Sequence, residues 1–455
     1  MNNLTINSQI IVDIEKMLYE GKSLCRFNGF PVFVNGGVIG DKVKIKITKI
    51  NKNFAFANLV EVVDASKYRI KSNCPYSKTC GSCDWNEVEY QMQLKQKTEI
   101  VRDCIKKILN EDVKVFDTIK SPSIQNYRSK IQMPFGFNPK SKRVICGYYE
   151  KKSHKLININ YCPMTYDIIN ELIKFTKEEA QNLGITIYDE DKHKGDLRHI
   201  VFRFSKLNNN CIVTLVVNSK FVHKKIKTLA YKISKYEGVN GVCINFNTRK
   251  TNVILTDKFE TLYGDDFIYE KLGCFVYKVS ANSFFQVNVS QAQNILDAVK
   301  KEIKDRIKEP KILDAYCGVG TFGVYLSDVA KDIVAVEQVE SSVKNCIENI
   351  RLNNIKNMKV LKGDAKLQFE SLKKTNQKFD VSITDPPRSG CDVGALNNLI
   401  ELTDKYIFYI SCNPNTLARD LKYLSQHNFK TEYIQPFDMF VNTYHVESLA
   451  IIKKV

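Results

Sequence analysis

Two hydrophobic periods divide this chain. Over residues 1–63 apolar and polar positions alternate with a period of two, as in Val32-Phe33-Val34, Lys42-Val43-Lys44-Ile45-Lys46-Ile47 and Phe54-Ala55-Phe56-Ala57, with Gly36-Gly37 as a turn. Short alternating strands joined by glycine turns predict a small β-barrel. From residue 280 to 455 the pattern changes to short, nearly unbroken apolar runs separated by helical stretches. The runs are Lys311 to Ala315, Asp332 to Val336, Met358 to Leu361, Phe379 to Thr384 and Tyr406 to Ser411. Runs of that kind are strands buried on both faces, and their alternation with helices predicts an α/β domain with an open, mostly parallel sheet. The region between, 64–279, carries a helical segment from Glu87 to Leu109, several cysteines, and no internal repeat. Three domains suit a length of 455 residues.

In an open α/β sheet, ligands lie at the carboxyl ends of the strands. The residues found there carry the candidate chemistry. The first run opens into Asp314-Ala315-Tyr316-Cys317-Gly318-Val319-Gly320, whose glycines let backbone approach a ligand closely. The second ends in Glu337, about 20 residues after that turn, where a carboxylate accepts ribose hydroxyls. The fourth leads to Asp385-Pro386-Pro387-Arg388, in which two prolines stop the ladder and fix a rigid turn. The fifth ends in Ser411-Cys412-Asn413-Pro414, placing a thiol beside a helix start, where a thiolate is favoured. Taken singly, each has a plainer reading: Cys412 as a small buried hydrophobe, Glu337 as a strand-end charge.

Together these segments resemble the RNA uracil-5 methyltransferase family, class I S-adenosylmethionine enzymes with a Rossmann-like domain that make 5-methyluridine. The Asp385-Pro-Pro-Arg388 and Ser411-Cys412-Asn413-Pro414 segments carry the likeness, with Ser280-Ala-Asn-Ser-Phe-Phe-Gln286-Val-Asn288 and Tyr444-His-Val-Glu447-Ser448. The resemblance implies cofactor contacts from Gln286, Tyr316, Glu337 and Asp385, Cys412 as the nucleophile and Glu447 as the base. It also implies that residues 1–63 are a TRAM domain, an RNA-binding barrel of the oligonucleotide-binding kind, with Lys42, Lys44 and Lys46 on one strand face. Residues 280–455 would be the methyltransferase domain. The central domain would pack against it and help to bind RNA, part of its Glu87–Asn110 helix docking there.

The chemistry explains why such an enzyme needs these groups. Carbon-5 of uracil is a poor nucleophile until a thiolate adds to carbon-6 and turns the ring into an enolate. After methylation the carbon-5 proton has to leave, and a carboxylate near carbon-5 can take it. A stacked, paired uracil hides carbon-6, so the base must be flipped out.

Cys74, Cys80 and Cys83 form a Cys-x5-Cys-x2-Cys run, and Cys162 stands apart in Tyr161-Cys162-Pro163. Four thiolates hold either zinc or an iron–sulfur cluster. A structural zinc site usually pairs two Cys-x2-Cys hairpins, so the uneven spacing favours a cluster. The run also resembles the family's 4Fe-4S motif, present in its ribosomal-RNA enzymes.

The remaining signals bear on partner and compartment. A net charge of +18 favours an anionic partner such as RNA, although a chain rich in Lys, Ile and Asn gains charge from composition alone. The 14 cysteines occur with no secretory n-region, h-region or cleavage site, which predicts a reducing cytoplasmic setting rather than disulfides. No apolar run approaches the ~18 residues of a membrane span. The expected function is methylation of uracil carbon-5 in 23S ribosomal RNA by a monomer, through a covalent Cys412–uracil adduct. Transfer RNA is the alternative substrate. A noncatalytic RNA-binding or ribosome assembly protein is the alternative of another class, which would be expected to have lost Cys412, Glu447 or the cofactor acid.

Overall fold

The computed structural model describes residues 4–151 and 153–455; residues 1–3, at the start of the expected barrel, and Lys152 lie outside the described residues. The carboxyl-terminal sheet has eight strands in the order Met358–Lys362, Asp332–Glu337, Lys311–Ala315, Phe379–Thr384, Thr403–Ser411, Glu447–Lys454, Phe429–Phe437, Lys114–Val115. The first five are parallel, and Glu447–Lys454 runs antiparallel to both its neighbours. From Lys311–Ala315 the chain first builds outward to one edge and then crosses to Phe379–Thr384 on the other side. That reversal opens a crevice at the carboxyl ends of the two central strands. Ile333, Val334, Ala335, Val381, Ile383, Ile407 and Phe408 are buried, because helices cover both faces of the sheet and form a separate apolar core on each.

The outermost strand, Lys114–Val115, comes from the segment read by sequence as part of the central region, and it pairs with Tyr433 and Ile434. The helix before it spans Tyr90–Ile108, shorter at its start than the expected Glu87 to Leu109. Glu89 ends it by accepting the backbone N–H groups of Gln91 and Met92, while Val88 bridges to Arg69. This helix packs on the Pro414–Ser425 helix, and its Lys97 forms a fully buried ion pair with Asp438 while donating to the Phe440 carbonyl at 2.9 Å.

Residues 9–64 form a six-stranded sheet in the order Gln9–Asp13, Lys42–Ile50, Ala55–Asp64, Phe30–Asn35, Lys22–Phe27, Lys16–Met17. Val43, Ile45 and Ile47 point into its core and Lys42, Lys44 and Lys46 lie on the opposite face, as the alternation requires. The central region is built on a seven-stranded sheet covered by the Asp167–Asn182 and Lys224–Ser234 helices, whose apolar faces share one core with Phe202 and Leu215. Among the described residues no helix is long and apolar enough to cross a membrane.

Candidate functional site

The crevice is a cavity of about 490 Å³ at the carboxyl ends of the central strands, and it gathers Gln286, Tyr316, Glu337, Asp385, Cys412 and Glu447. Each is set by its local fold. Cys412 leaves the Thr403–Ser411 strand immediately before Asn413, whose side chain caps the Pro414–Ser425 helix by accepting the Asn415 N–H at 3.1 Å. Proline at the first helical position fixes the start of that helix. Asn413 Nδ2 and Thr416 Oγ1 donate to the Arg388 carbonyl at 3.2 and 3.3 Å, so the Asp385–Arg388 turn is tied to the helix that follows the thiol. Gln286 reaches across from a different segment, its Nε2 donating to Asp385 Oδ2 at 3.4 Å.

The glycine turn is shaped for a close ligand. Gly318 has a positive φ of 57°, and a Cβ there would meet nothing within 4 Å, so its backbone faces open space. Tyr316 beside it adopts φ 64° without being glycine, a strained conformation of the kind held at binding sites. Glu337 is oriented from both oxygens: Oε2 accepts the Gly318 N–H at 2.9 Å and Oε1 the Val339 N–H at 2.7 Å. Asp314, deeper in the turn, accepts the Gly323 N–H at 2.8 Å, and burial raises its carboxyl to about 7. A carboxylate at the strand end, an exposed backbone turn and a partly apolar cavity fit an adenosyl ligand.

At the other end of the cavity the charges are carboxylate, carboxylate and thiol. Glu447 is only 3 % exposed, and burial, then Asp385, raises its carboxyl well above the usual range while Arg388 opposes the rise. Burial likewise lifts Asp385 to about 7. The Cys412 thiol is pushed up to about 11, first by burial and then by Glu447, with Arg388 acting in the other direction. This corrects the expectation of a site favouring thiolate: desolvation and two neighbouring carboxylates outweigh the helix start, whose influence is confined to its first turn. Arg388 also lines the cavity, and its one signal in the sequence is its position directly after Asp385-Pro-Pro.

Cys74, Cys80, Cys83 and Cys162 line a second, small cavity in the central region, with Tyr76 and Tyr148. The cysteines lie close enough for Cys162 and Cys80 to raise the Cys83 thiol further, beyond the effect of burial. Among the described residues no group of three His, Cys, Asp or Glu side chains is placed to hold a metal ion.

Comparison with known proteins accords with this geometry. The family described as tRNA (Uracil-5-)-methyltransferase matches residues 89–455, and the TRAM domain matches residues 4–60. An uncharacterized RNA methyltransferase of Bacillus cereus is 34% identical over 450 residues, 99% of this chain and 98% of that protein. Another, from Clostridium acetobutylicum, is 34% identical over 96% of this chain and 95% of its own length. The crystal structure of Pyrococcus abyssi tRNA (uracil-54, C5)-methyltransferase with S-adenosyl-L-homocysteine superposes with a TM-score of 0.77 at 25% identity, covering 97% of this chain and 100% of that one. The chain thus belongs to the S-adenosylmethionine-dependent RNA uracil-5 methyltransferase family and carries a TRAM domain.

Proposed function

We propose that this protein methylates carbon-5 of a uridine in 23S ribosomal RNA through a covalent bond between Cys412 and the base. The observation that carries the reading is the meeting of Cys412, Glu447 and Asp385 at one end of a single cavity, with Glu337 and Gly318 at its adenosyl-shaped end. S-adenosylmethionine bound there supplies an electrophilic methyl group, and Gln286, Tyr316, Glu337 and Asp385 are the residues that would hold it.

Deprotonated Cys412 Sγ bonds to carbon-6, and the displaced electron pair makes carbon-5 nucleophilic. Once carbon-5 carries the methyl group, Glu447 takes its proton; the pair restores the 5,6 double bond and expels Sγ. Burial suits Glu447 to this task, because a carboxylate with a raised pKa is the stronger base. Burial and Glu447 push the Cys412 thiol up to about 11, so the protonated thiol is the dominant form near neutral pH. Arg388, the cation acting on both groups, stabilises the thiolate and then the enolate.

Cys74, Cys80, Cys83 and Cys162 are the ligands we assign to a 4Fe-4S cluster. The donor set, four sulfurs around one cavity, suits it, since a cluster spreads its thiolates over separate irons and does not ask three of them to converge on one ion. These cysteines, through their likeness to the motif of ribosomal-RNA enzymes, support 23S ribosomal RNA as substrate. A transfer RNA substrate is the second reading, supported by the fold shared with the Pyrococcus abyssi enzyme. Digesting each RNA class from a strain lacking the protein separates the two: 5-methyluridine missing from 23S ribosomal RNA supports the first, and its loss from transfer RNA alone overturns it.

A further inference from the structure

The amino-terminal sheet carries large aromatic side chains on the face turned away from its core. Along Phe54-Ala55-Phe56-Ala57 the two alanines are fully buried, while Phe54 and Phe56 stay partly exposed. The Phe30–Asn35 strand repeats the arrangement, with Val32 and Val34 fully buried and Phe33 outside. Strand pairing gathers the outer rings. Phe33 is the register partner of Phe56 on the parallel strand beside it, and Phe54 ends the turn before that strand, its carbonyl accepting the Asn51 N–H at 2.8 Å. Ring centroids are 5.5 Å apart for Phe33 and Phe54, 5.4 Å for Phe54 and Phe56, and 5.8 Å for Phe33 and Phe56. The three rings thus pack on one another, outside the apolar cluster that fills the inner face.

Cations flank the rings on both sides. Residues paired across strands share a face, so the register sets Lys49 beside Phe56 and Lys46 beside Asn58 on one flank, and Lys22 beside Asn35 on the other. Lys46 and Lys49 are exposed, and Lys22 Nζ stands 5.8 Å from the centre of the Phe56 ring while pairing with Glu20 at 2.8 Å. Between the flanks, Asn35 Nδ2 donates to Asn58 Oδ1 at 2.7 Å. An apolar patch by itself marks an interaction surface of no particular kind. Set between lysines, it suits an anionic chain that also offers flat apolar faces, which is an unpaired RNA strand. Double-stranded RNA would meet the lysines with its phosphates, but its bases are already stacked within the helix and leave the phenylalanines unused.

We infer that Phe33, Phe54 and Phe56 form a stacking platform for unpaired bases of the substrate RNA, with Lys22, Lys46 and Lys49 meeting the adjoining phosphates. None of these six residues lines the Cys412 cavity, so the platform is a second RNA-contacting surface and does not depend on the covalent mechanism. Its consequence is that part of substrate choice is made away from the target uridine: an RNA that presents a single-stranded stretch to the TRAM domain is held more tightly than one that presents only a duplex.

The test measures binding of the full-length protein to an oligoadenylate of about 12 nucleotides, which offers no pyrimidine to the Cys412 cavity, and to an RNA duplex of the same length at the same salt concentration. Wild type is compared with Phe54→Ala, Phe56→Ala and Phe56→Tyr. Each alanine variant is expected to weaken oligoadenylate binding about tenfold and duplex binding less than about twofold, while Phe56→Tyr stays within about threefold of wild type on both. The ratio of the two affinities is the readout, because a damaged barrel would lose both RNAs together. Phe54 lies outside the strands, so its variant keeps the ladder intact and decides the matter should Phe56→Ala unfold the barrel. Unchanged oligoadenylate affinity in Phe54→Ala would assign the face to another occupant, such as a protein or a second copy, and overturns the inference. So does an equal loss of duplex binding in that variant. Neither RNA reports on methylation, so failure here leaves the proposed chemistry standing.

Discussion

Cys412 and Glu447 flank the last pair of one antiparallel ladder. Tyr406 to Ser411 pair with Lys453 to Ser448; Cys412 directly follows Ser411 and Glu447 directly precedes Ser448. That last pair brings the proposed nucleophile and base to the same end of the sheet, where both line the cavity.

This relationship predicts how the base would fail. Glu447→Gln keeps size and hydrogen-bonding capacity but cannot accept the carbon-5 proton. With ordinary RNA the variant is expected to accumulate a covalent protein–RNA species while 5-methyluridine output falls by about 100-fold or more. Denaturing electrophoresis reads the adduct; normal turnover by the variant would remove Glu447 as the base.

The raised Cys412 pKa of about 11 fixes the sign of a pH dependence. Below that value the thiolate fraction rises with pH, so adduct formation with 5-fluorouridine RNA should accelerate between pH 6 and 9 wherever Cys412 ionisation limits it. Arg388 opposes the rise in pKa. Removing its cation in Arg388→Ala should lower the rate throughout and shift the profile to higher pH. A profile identical to wild type would show that Arg388 does not act on the thiol.

Much of this was legible in the sequence, for a physical reason. Strands buried on both faces read as continuous apolar runs, so the polar residue ending each one, Glu337, Asp385 or Cys412, stood out. The edge strand Lys114–Val115 was not legible, because two residues carry no period. Nor was the electrostatic state of Cys412, which depends on burial and on Glu447 and Asp385, residues brought near only by the fold.

The cofactor end makes a separable prediction. Glu337 is already oriented by two backbone N–H groups, so its carboxylate is placed to accept ribose hydroxyls. Loss of charge-assisted hydrogen bonds worth about 1.5–3 kcal/mol should weaken S-adenosylmethionine binding by roughly 10- to 100-fold in Glu337→Ala. Calorimetry measures it directly, and an unchanged affinity would place the ribose elsewhere.

Between the domains, the Lys97–Asp438 pair is fully buried. Asp438→Asn leaves an ammonium without its counterion, and a loss of about 3–5 kcal/mol is expected. Replacing both residues, as in Lys97→Met with Asp438→Leu, should recover most of that loss. Urea unfolding of wild type and the two variants gives the comparison, and Asp438→Asn as stable as wild type would contradict it.

The cysteine assignment is read by eye and by spectrum. Protein purified anaerobically should be brown, with the broad visible absorption of an iron–sulfur cluster, and Cys83→Ser should lose it. A colourless protein containing zinc would overturn the assignment.

The most direct test of the account is mass spectrometry of the protein after reaction with 5-fluorouridine RNA and S-adenosylmethionine. A peptide spanning Cys412 is expected to carry the methylated fluoropyrimidine on its sulfur, and Cys412→Ala to lack it. Methylation of ordinary RNA at the wild-type rate by Cys412→Ala, with no such peptide in the wild type, would contradict it.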